Sequence, residues 1–495
     1  MRNFSKSKLM ALRQCPKRFW LEIHRPALRI ESTAAEARFE AGHHVGEIAR
    51  RLYDPMGEAV MVDVEGQGFA AAIQHTSDLL QAQQPVFEAG FAAGGALAFA
   101  DVMLPSGEQP LEWRMVEVKS STRVKPYHCD DVAVQAYVAR TAGVRLSGVA
   151  VACIDSSWTY PGGGDYRGLL HENDLTQEAL AREEEVKCWI DRAQTVSALD
   201  QAPEMAVGPH CDDPFECGFY GHCNQHESQA TYPIHWLPRR GARLKQALDA
   251  RQITDMRDVP DDLLNPVQQR VKHHTLTDTV YFDSTGAAED LAAHPLPAQF
   301  LDFETIQFAV PIWAGTRPYQ QIPFQYSLHT LMENGEVLHG DFLTLDGEDP
   351  SRRLAMALVA DCGDRAWPIF AYNAGFEKSR LRELALRFPE HAAPLLAIVD
   401  RVVDLLPIAR ERYYHPSQKG SWSIKAVLPA AVPALRYSDL AGVQDGGMAM
   451  DAYLEAIHPV TSLERVEIIR RQLLAYCQLD TYAMVRLWQV FNGHA

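Results

Sequence analysis

A chain of 495 residues is too long for one hydrophobic core, and at roughly 150 residues per domain it divides into two or three. Its 47% hydrophobic and 22% charged residues are the mix of an ordinary globular protein, and no uncharged apolar run approaches the roughly 20 residues of a membrane span, residues 89–100 coming nearest. A net charge of −17 excludes a general polyanion-binding surface, so nucleic acid would be met locally, as at residues 1–30, where eight Lys and Arg stand against the single acid Glu22.

In chain order, residues 3–25 have helical spacing, with Phe4, Leu9, Leu12, Phe19 and Leu21 on one stripe around the segment CPKRFW. The basic start has no apolar run before Cys15, which predicts a cytoplasmic protein without a cleaved signal. A second helix is expected over 34–52. Apolar and β-branched runs at 86–92 and 98–104 flank Gly94 and Gly95 and predict a hairpin. A third strand ends in Glu117-Val118-Lys119, followed by a helix over 130–142 and a strand over 146–154, so this half reads as a mixed sheet flanked by helices.

Asp101 and Glu117 could hold a hard cation such as Mg²⁺ or Mn²⁺, which activates water and neutralises charge developing on phosphate. Lys119 lies two residues from Glu117, on the same strand face, where it could orient that water or stabilise the transition state. Gln135 and Tyr137, on the following helix, are candidates for substrate contact. In a reducing compartment a group of cysteines points to metal more than to disulfides. Cys211, Cys217 and Cys223, with five residues between successive sulfurs, leave a four-coordinate site one ligand short. Cys15, 196 positions before Cys211, is the natural fourth, and a zinc knuckle completed by His210, His222 or His226 is the alternative. Cys129, Cys153 and Cys188 read as small buried packing residues.

These features resemble the RecB-like nucleases of the PD-(D/E)XK superfamily, in particular the CRISPR-associated exonucleases that carry an iron–sulfur cluster. The resemblance rests on one N-terminal cysteine in a C-P-x-x-[FY] context, the Asp, the Glu-Val-Lys strand followed by Ser-Ser, an Asp-x-x-x-Gln helix and three closing cysteines. It covers about residues 1–225. It implies a [4Fe–4S] cluster on Cys15, Cys211, Cys217 and Cys223, and a metal site of Asp101, Glu117 and the Val118 carbonyl, with Lys119 as the catalytic lysine. The family's histidine ligand would come from the helix before the sheet, where GHHVGEIAR offers His43 and His44, and His44 is assigned to the role. The first domain is thus expected over 1–226.

Residues 227–295 contain turn-forming prolines, the basic pair Arg239-Arg240 and a helical stretch over 241–251, and read as a helical connector. In the remainder, 296–495, FLDFETIQF places Asp302 and Glu304 on one face of a strand. Strands at PFQYSLHTL and 340–344, a helix over 352–361, and the strand PIFAYN leading into Glu377 follow. In LLAYCQLDTYAMVRLW, Tyr476 and Asp480 lie one helical turn apart. Four acids from a strand, a helix start and a late helix could hold two Mg²⁺ or Mn²⁺ ions about 4 Å apart for in-line displacement at phosphorus, with the tyrosine orienting water.

This pattern resembles the DEDD exonucleases of the ribonuclease H-like fold, in the branch with a tyrosine in the third motif. Asp302 and Glu304 match the first motif, Asn373 to Glu377 the second, and Tyr476 and Asp480 the third. The second motif normally ends in Asp where this chain has Glu377, and Asp404 is a substitute within reach in sequence. Lys425 and Trp422 fall in the substrate-side segment of such relatives. The expectation is therefore an α/β protein of two nuclease-like domains joined by a helical connector. It would be a metal-dependent enzyme hydrolysing DNA, more than RNA, from single-stranded ends. No G-x-x-x-x-G-K-[ST] phosphate loop is present, so unwinding would come from a helicase or a repair or defence partner. The alternatives are one active head with the other half binding nucleic acid, or a non-catalytic iron–sulfur module that binds nucleic acid or senses redox state.

Overall fold

The computed structural model describes residues 2–30, 33–106, 109–225 and 230–493, with 33–41 in backbone alone. The chain is α/β and divides into two units, the first made of Met1–Ser228 with Phe308–Gln320, the second of Gln229–Gln307 with Gln321–Ala495. Among the described residues no helix is long and apolar enough to cross a membrane.

The first unit is built on a seven-stranded sheet. Its strands are β1 (Phe4–Ser5), β2 (Val60–Met61), β3 (Val86–Ala93), β4 (Ala96–Pro105), β5 (Glu112–Lys119), β6 (Arg145–Ile154) and β7 (Leu170–Asp174). They lie in the order β2-β3-β4-β5-β6-β7, with β1 added on β4. The expected hairpin is β3–β4, turning at Gly94 and Gly95, both at positive φ, which glycine adopts without a Cβ penalty. β5 and β6 are parallel. A parallel pair needs a crossover, and the Pro126–Thr141 helix supplies it; ten of its sixteen residues are buried. Most of its faces are buried, and Val132, Val134, Ala136 and Val138 share one cluster with Met115, Val149 and Val151.

The helix expected over 3–25 is two helices, Lys6–Gln14 and Pro16–His24, broken at Cys15. The residue before a proline is driven out of the helical region, and Cys15 is extended at φ −160°, ψ 119°. Pro16 then opens the next helix, where its missing N–H costs nothing.

The second unit holds β8 (Tyr281–Phe282), β9 (Ala298–Ile306), β10 (Ile322–Leu331), β11 (Val337–Leu343), β12 (Ile369–Ala371), β13 (Val402–Asp404) and β14 (Tyr413–Tyr414). Five of them form a sheet in the order β11-β10-β9-β12-β13, and β8 pairs with β14. β10 runs antiparallel to both neighbours, while β9, β12 and β13 are parallel. The Leu463–Phe491 helix crosses this sheet and buries Met484, Leu487, Trp488 and Phe491 against Phe300 and Phe370. The stretch 227–295 does not stand apart as a connector: Leu237, Leu244, Leu248 and Met256 belong to that same cluster. The connector stretch and the 296–495 domain, apart from Phe308–Gln320, fall in one unit and share that core.

Candidate functional sites

In the first unit Val102 pairs with Val116, so Asp101 and Glu117 come next along the antiparallel β4–β5 ladder. Glu117 is buried, and both lysines reach it: Lys119 Nζ donates to its Oε1 at 2.7 Å and Lys6 Nζ to the same oxygen at 2.8 Å. Lys119 also donates to Asp131 Oδ2 at 2.5 Å, and Lys6 stands 3.3 Å from Asp131 Oδ1. Burial opposes the Glu117 charge, but Lys119 and Lys6 outweigh it and hold the carboxyl well below the usual range. Asp101 receives the Val118 N–H at 2.6 Å, and burial together with the Glu117 charge pushes its carboxyl up to about 8. One acid is thus a fixed anion, the other a proton holder that a cation could displace.

Asp101, Glu117, Val118 and Lys119 line a cleft of about 270 Å³, together with His43, Arg50 and Glu88. His43, and not His44, lines the cleft, a correction of one helical position that the adjacent pair HH could not resolve from spacing alone. Glu88 had no motif to announce it. It follows Phe87 on β3, which pairs with Val102, so it stands opposite Asp101, and its φ of +56° is unusual for a residue with a Cβ. Lys6 was legible only as one of the basic residues near the start of the chain.

Two of the expected substrate contacts are corrected. Gln135 is fully buried and donates to Glu117 Oε2 at 2.5 Å and to the Phe99 carbonyl at 2.6 Å, so it positions the acid and is closed to substrate. Tyr137 is a core residue packed beneath the β3–β4 turn, its hydroxyl 2.5 Å from where a Cβ on Gly94 would sit.

Cys15, Cys211, Cys217 and Cys223 line one small cavity of about 20 Å³. The helix break delivers Cys15, whose Sγ accepts the Arg18 N–H at 3.5 Å. A tight loop delivers the others: Cys217 N–H donates to the Cys211 carbonyl at 2.8 Å, and Gln14 Nε2 ties the loop down through the carbonyls of His210 and Phe215 at 2.8 and 2.7 Å. Burial raises the Cys217 thiol pKa, and Cys211 and Cys15 add to it, as expected of sulfurs that would need a cation between them. His210 Nε2 is 3.7 Å from Cys211 Sγ, while His226 lies outside the described residues. Cys153 is buried as expected, but Cys188 is exposed.

In the second unit β9 presents Asp302 and Glu304, and the Leu463–Phe491 helix brings Tyr476, Cys477 and Asp480 across them. Among the described residues, Asp302, Glu304 and Cys477 have potential ligand atoms all within 4.8 Å of one another. Burial and the neighbouring acid Asp480 push Glu304 up to about 8. Burial raises Asp480 to about 6 despite a 2.5 Å hydrogen bond from the Tyr437 hydroxyl to its Oδ1. Asp302 is raised well above the carboxylate range by burial, then by Asp480, Glu304 and Glu377. Glu377, in the first turn of the Gly375–Arg387 helix, is buried with Oε2 lacking a hydrogen-bond partner, and burial lifts it to about 7. Such crowding of carboxylates without matching cations is relieved either by protons or by a divalent metal. Cys477 stays a neutral thiol, raised by burial and then by Asp302, and a hard cation prefers the oxygens around it.

Tyr437 is a further residue that no spacing revealed; its ring is 6.2 Å from that of Tyr476. Lys425 Nζ sits 4.9 Å from the Tyr476 ring and 5.3 Å from the Tyr437 ring while donating to the Gln444 carbonyl at 3.0 Å. Asp404 stands near enough to Glu377 to help raise its carboxyl, while its own Oδ1 accepts the N–H groups of Asn373 at 2.9 Å and Leu406 at 3.0 Å and caps the next helix. Trp422 is buried, its indole N–H donating to the Tyr413 carbonyl at 2.8 Å, and it forms part of the wall of a cleft of about 920 Å³ with Arg239, Asn373 and Arg410.

Two comparisons with known proteins found similarities, one of them over this site. Residues 299–423 match a family described as "Domain of unknown function (DUF2779)", a stretch that takes in Asp302, Glu304 and Glu377 and stops before Tyr476 and Asp480. The chain is also similar to the protein named "Uncharacterized protein MG366" of Mycoplasma genitalium, 26% identical over 210 residues. That match covers 38% of this chain and 31% of the relative, so the chain spans about a third of the length of the curated protein it matches.

Proposed function

We propose that this protein is a metal-dependent nuclease that hydrolyses phosphodiester bonds in DNA from single-stranded ends, with one active site in each unit. The observation that carries the reading is the convergence of Asp302 and Glu304, whose ligand atoms lie within 4.8 Å of each other, with Asp480 and Glu377 close enough to raise the Asp302 carboxyl, the four coming from one strand and two helices. The central place of β9 in a five-stranded mixed sheet fits a ribonuclease H-like fold, and the β3–β4–β5 sheet with its crossover helix fits a PD-(D/E)XK domain.

Mg²⁺ or Mn²⁺ at these acids would supply an activated water and neutralise charge at phosphorus. In the second unit Asp302, Glu304, Glu377 and Asp480 would hold it. Tyr437 and Tyr476 keep their phenolic protons, burial and then Asp480 raising both, so Tyr476 can donate to and orient the attacking water. In the first unit Asp101, Glu117 and His43 would hold the ion. Lys119, kept cationic by Asp131 and Glu117 against the cost of burial, would face the developing charge.

The four cysteines suit a [4Fe–4S] cluster better than zinc. A tetrahedral zinc with bonds of about 2.3 Å would draw its sulfurs to within about 4 Å of one another. The sulfurs are not among the described groups that close to 4.8 Å. The cavity that the four cysteines line is about 20 Å³, so a cluster would need their thiols to turn away from the space they now occupy. DNA is the proposed partner, in the cytoplasm, with strand separation left to a helicase.

The test is degradation of end-labelled single-stranded DNA with Mn²⁺ by the wild type, Asp101→Ala, Asp302→Ala and the double variant. Each single variant should keep one head working and the double should lose at least about 100-fold, the scale of removing transition-state charge stabilisation. Undiminished degradation by the double variant would sink the assignment of both sites.

A further inference from the structure

Resting on the nuclease reading of the first unit, we propose that a groove of about 820 Å³ beside Lys119 carries a single nucleic-acid strand, with the cysteine-bearing loop as one of its walls. Lys119 lines both this groove and the cleft that holds Asp101 and Glu117, so the two spaces meet at the side chain assigned to the developing charge.

Charge and shape name the occupant. Arg29, Arg123 and Lys125 line the groove with Arg18, which is paired with Glu22 at 2.9 Å, and Lys119, which is paired with Glu117 and Asp131, against one lining acid, Glu216. On a chain of net charge −17 such a local reversal of sign is what a phosphate backbone would seek. Arg123 and Lys125 are exposed. Among the other lining residues are two aromatic rings beside those cations: Phe215, 41% exposed, lies edge-on to Tyr127 with ring centroids 4.9 Å apart, and Lys125 Nζ is 5.7 Å from the Tyr127 ring. Cations interleaved with exposed ring faces bind unpaired bases by stacking while neutralising their phosphates. A duplex keeps its bases stacked on one another and offers nothing to those rings.

The wall belongs to the cysteine site. Pro214, Phe215 and Glu216 lie between Cys211 and Cys217, and Gln14 next to Cys15 holds the Phe215 carbonyl at 2.7 Å. Arg18 donates its N–H to Cys15 Sγ and lines the groove as well. Whatever group the four sulfurs hold therefore fixes the stacking platform, and its loss loosens the strand's grip before it touches the acids.

The test uses the full-length protein in EDTA, so that binding is read without cleavage. An oligothymidylate carrying 4-thiothymidine, irradiated on the protein, should label a peptide containing Tyr127 or Phe215; label confined to other peptides overturns the proposal. Phe215→Leu, which keeps apolar bulk but removes the ring face, should weaken binding of that oligonucleotide about tenfold, the loss expected of one stacking platform. Arg123→Ala with Lys125→Ala should lower the salt slope by about 1.4, two phosphate contacts at about 0.7 each. Unchanged affinity in Phe215→Leu, or equal weakening for a blunt duplex, also overturns it. The nuclease reading is judged separately: normal binding by Asp101→Ala with no degradation by wild type defeats that reading alone, and degradation by wild type with unlabelled groove peptides defeats the groove alone.

Discussion

Glu304 and Asp480 show how one residue's environment becomes a measurable property of the site. Burial and the neighbouring Asp480 charge place Glu304 near 8, and burial places Asp480 near 6, both above an ordinary carboxyl. The folded, metal-free protein therefore holds protons that the unfolded chain releases, and its stability declines as pH climbs from the ordinary carboxyl range towards about 8. A cation displaces those protons, so the rise in melting temperature on adding Mn²⁺ should be larger at about pH 8.5 than at about pH 6. Thermal melts of wild type and Glu304→Gln at both pH values read this directly; a Mn²⁺ shift independent of pH would remove the carboxylates from the binding step. The residues of this site that were legible from sequence, Asp302, Glu304, Tyr476 and Asp480, share a strand face or a helical turn. Tyr437 was not, because its hydrogen bond to Asp480 spans 43 positions, and Lys6 reaches Glu117 across 111. Local periodicity carries no information about such contacts.

At the scale of elements, strands and helices that bury one face were readable: β5 ending at Lys119, β9 beginning beside Gln299, and the hairpin at Gly94-Gly95. What escaped depends on which core a segment enters. Residues 308–320 look like a loop of the second unit, yet Val310 is buried in a cluster with Val45, Ile48 and Leu169, and the Tyr160 N–H donates to the Thr316 carbonyl at 2.9 Å. The stretch once readable as a connector is fastened by a contact of the same hidden kind. Gly420 adopts φ +76°, and a Cβ there would lie 1.6 Å from the Trp236 carbonyl oxygen. Gly420→Ala must therefore push the 234–237 turn off its seat and should cost about 3 kcal/mol or more, combining strain at positive φ with lost packing. Urea titration of the second unit's tryptophan fluorescence measures it. A change under about 1 kcal/mol would mean the turn is free to yield.

For the whole molecule, the two units have separate hydrophobic cores, one gathered around Met115, Val134 and Val151, the other around Phe300, Phe370 and Trp488. Separate cores allow separate unfolding, and a single melting temperature would then describe neither. The cysteine site acts on only one of them. On the proposed reading, a group held by the four cysteines would join Cys15 to Cys211 across 196 positions, and closing a loop of that length would remove about 5 kcal/mol of unfolded-state freedom on the scale established for covalent links. Cys217→Ser should accordingly lower the first unit's transition by many degrees and leave the second unit's in place. Scanning calorimetry on protein prepared without oxygen should resolve the two transitions, and analysis of the same samples should find iron and sulfide in the wild type and neither at full occupancy in the variant. Degradation by the Asp302-centred site should survive in Cys217→Ser and vanish when Asp302→Ala is added, because Asp302, Glu304, Glu377 and Asp480 all belong to the second unit. A Cys217→Ser protein in which both transitions fall together would show that the units share their stability, and zinc without sulfide in the wild type would replace the cluster with a structural ion.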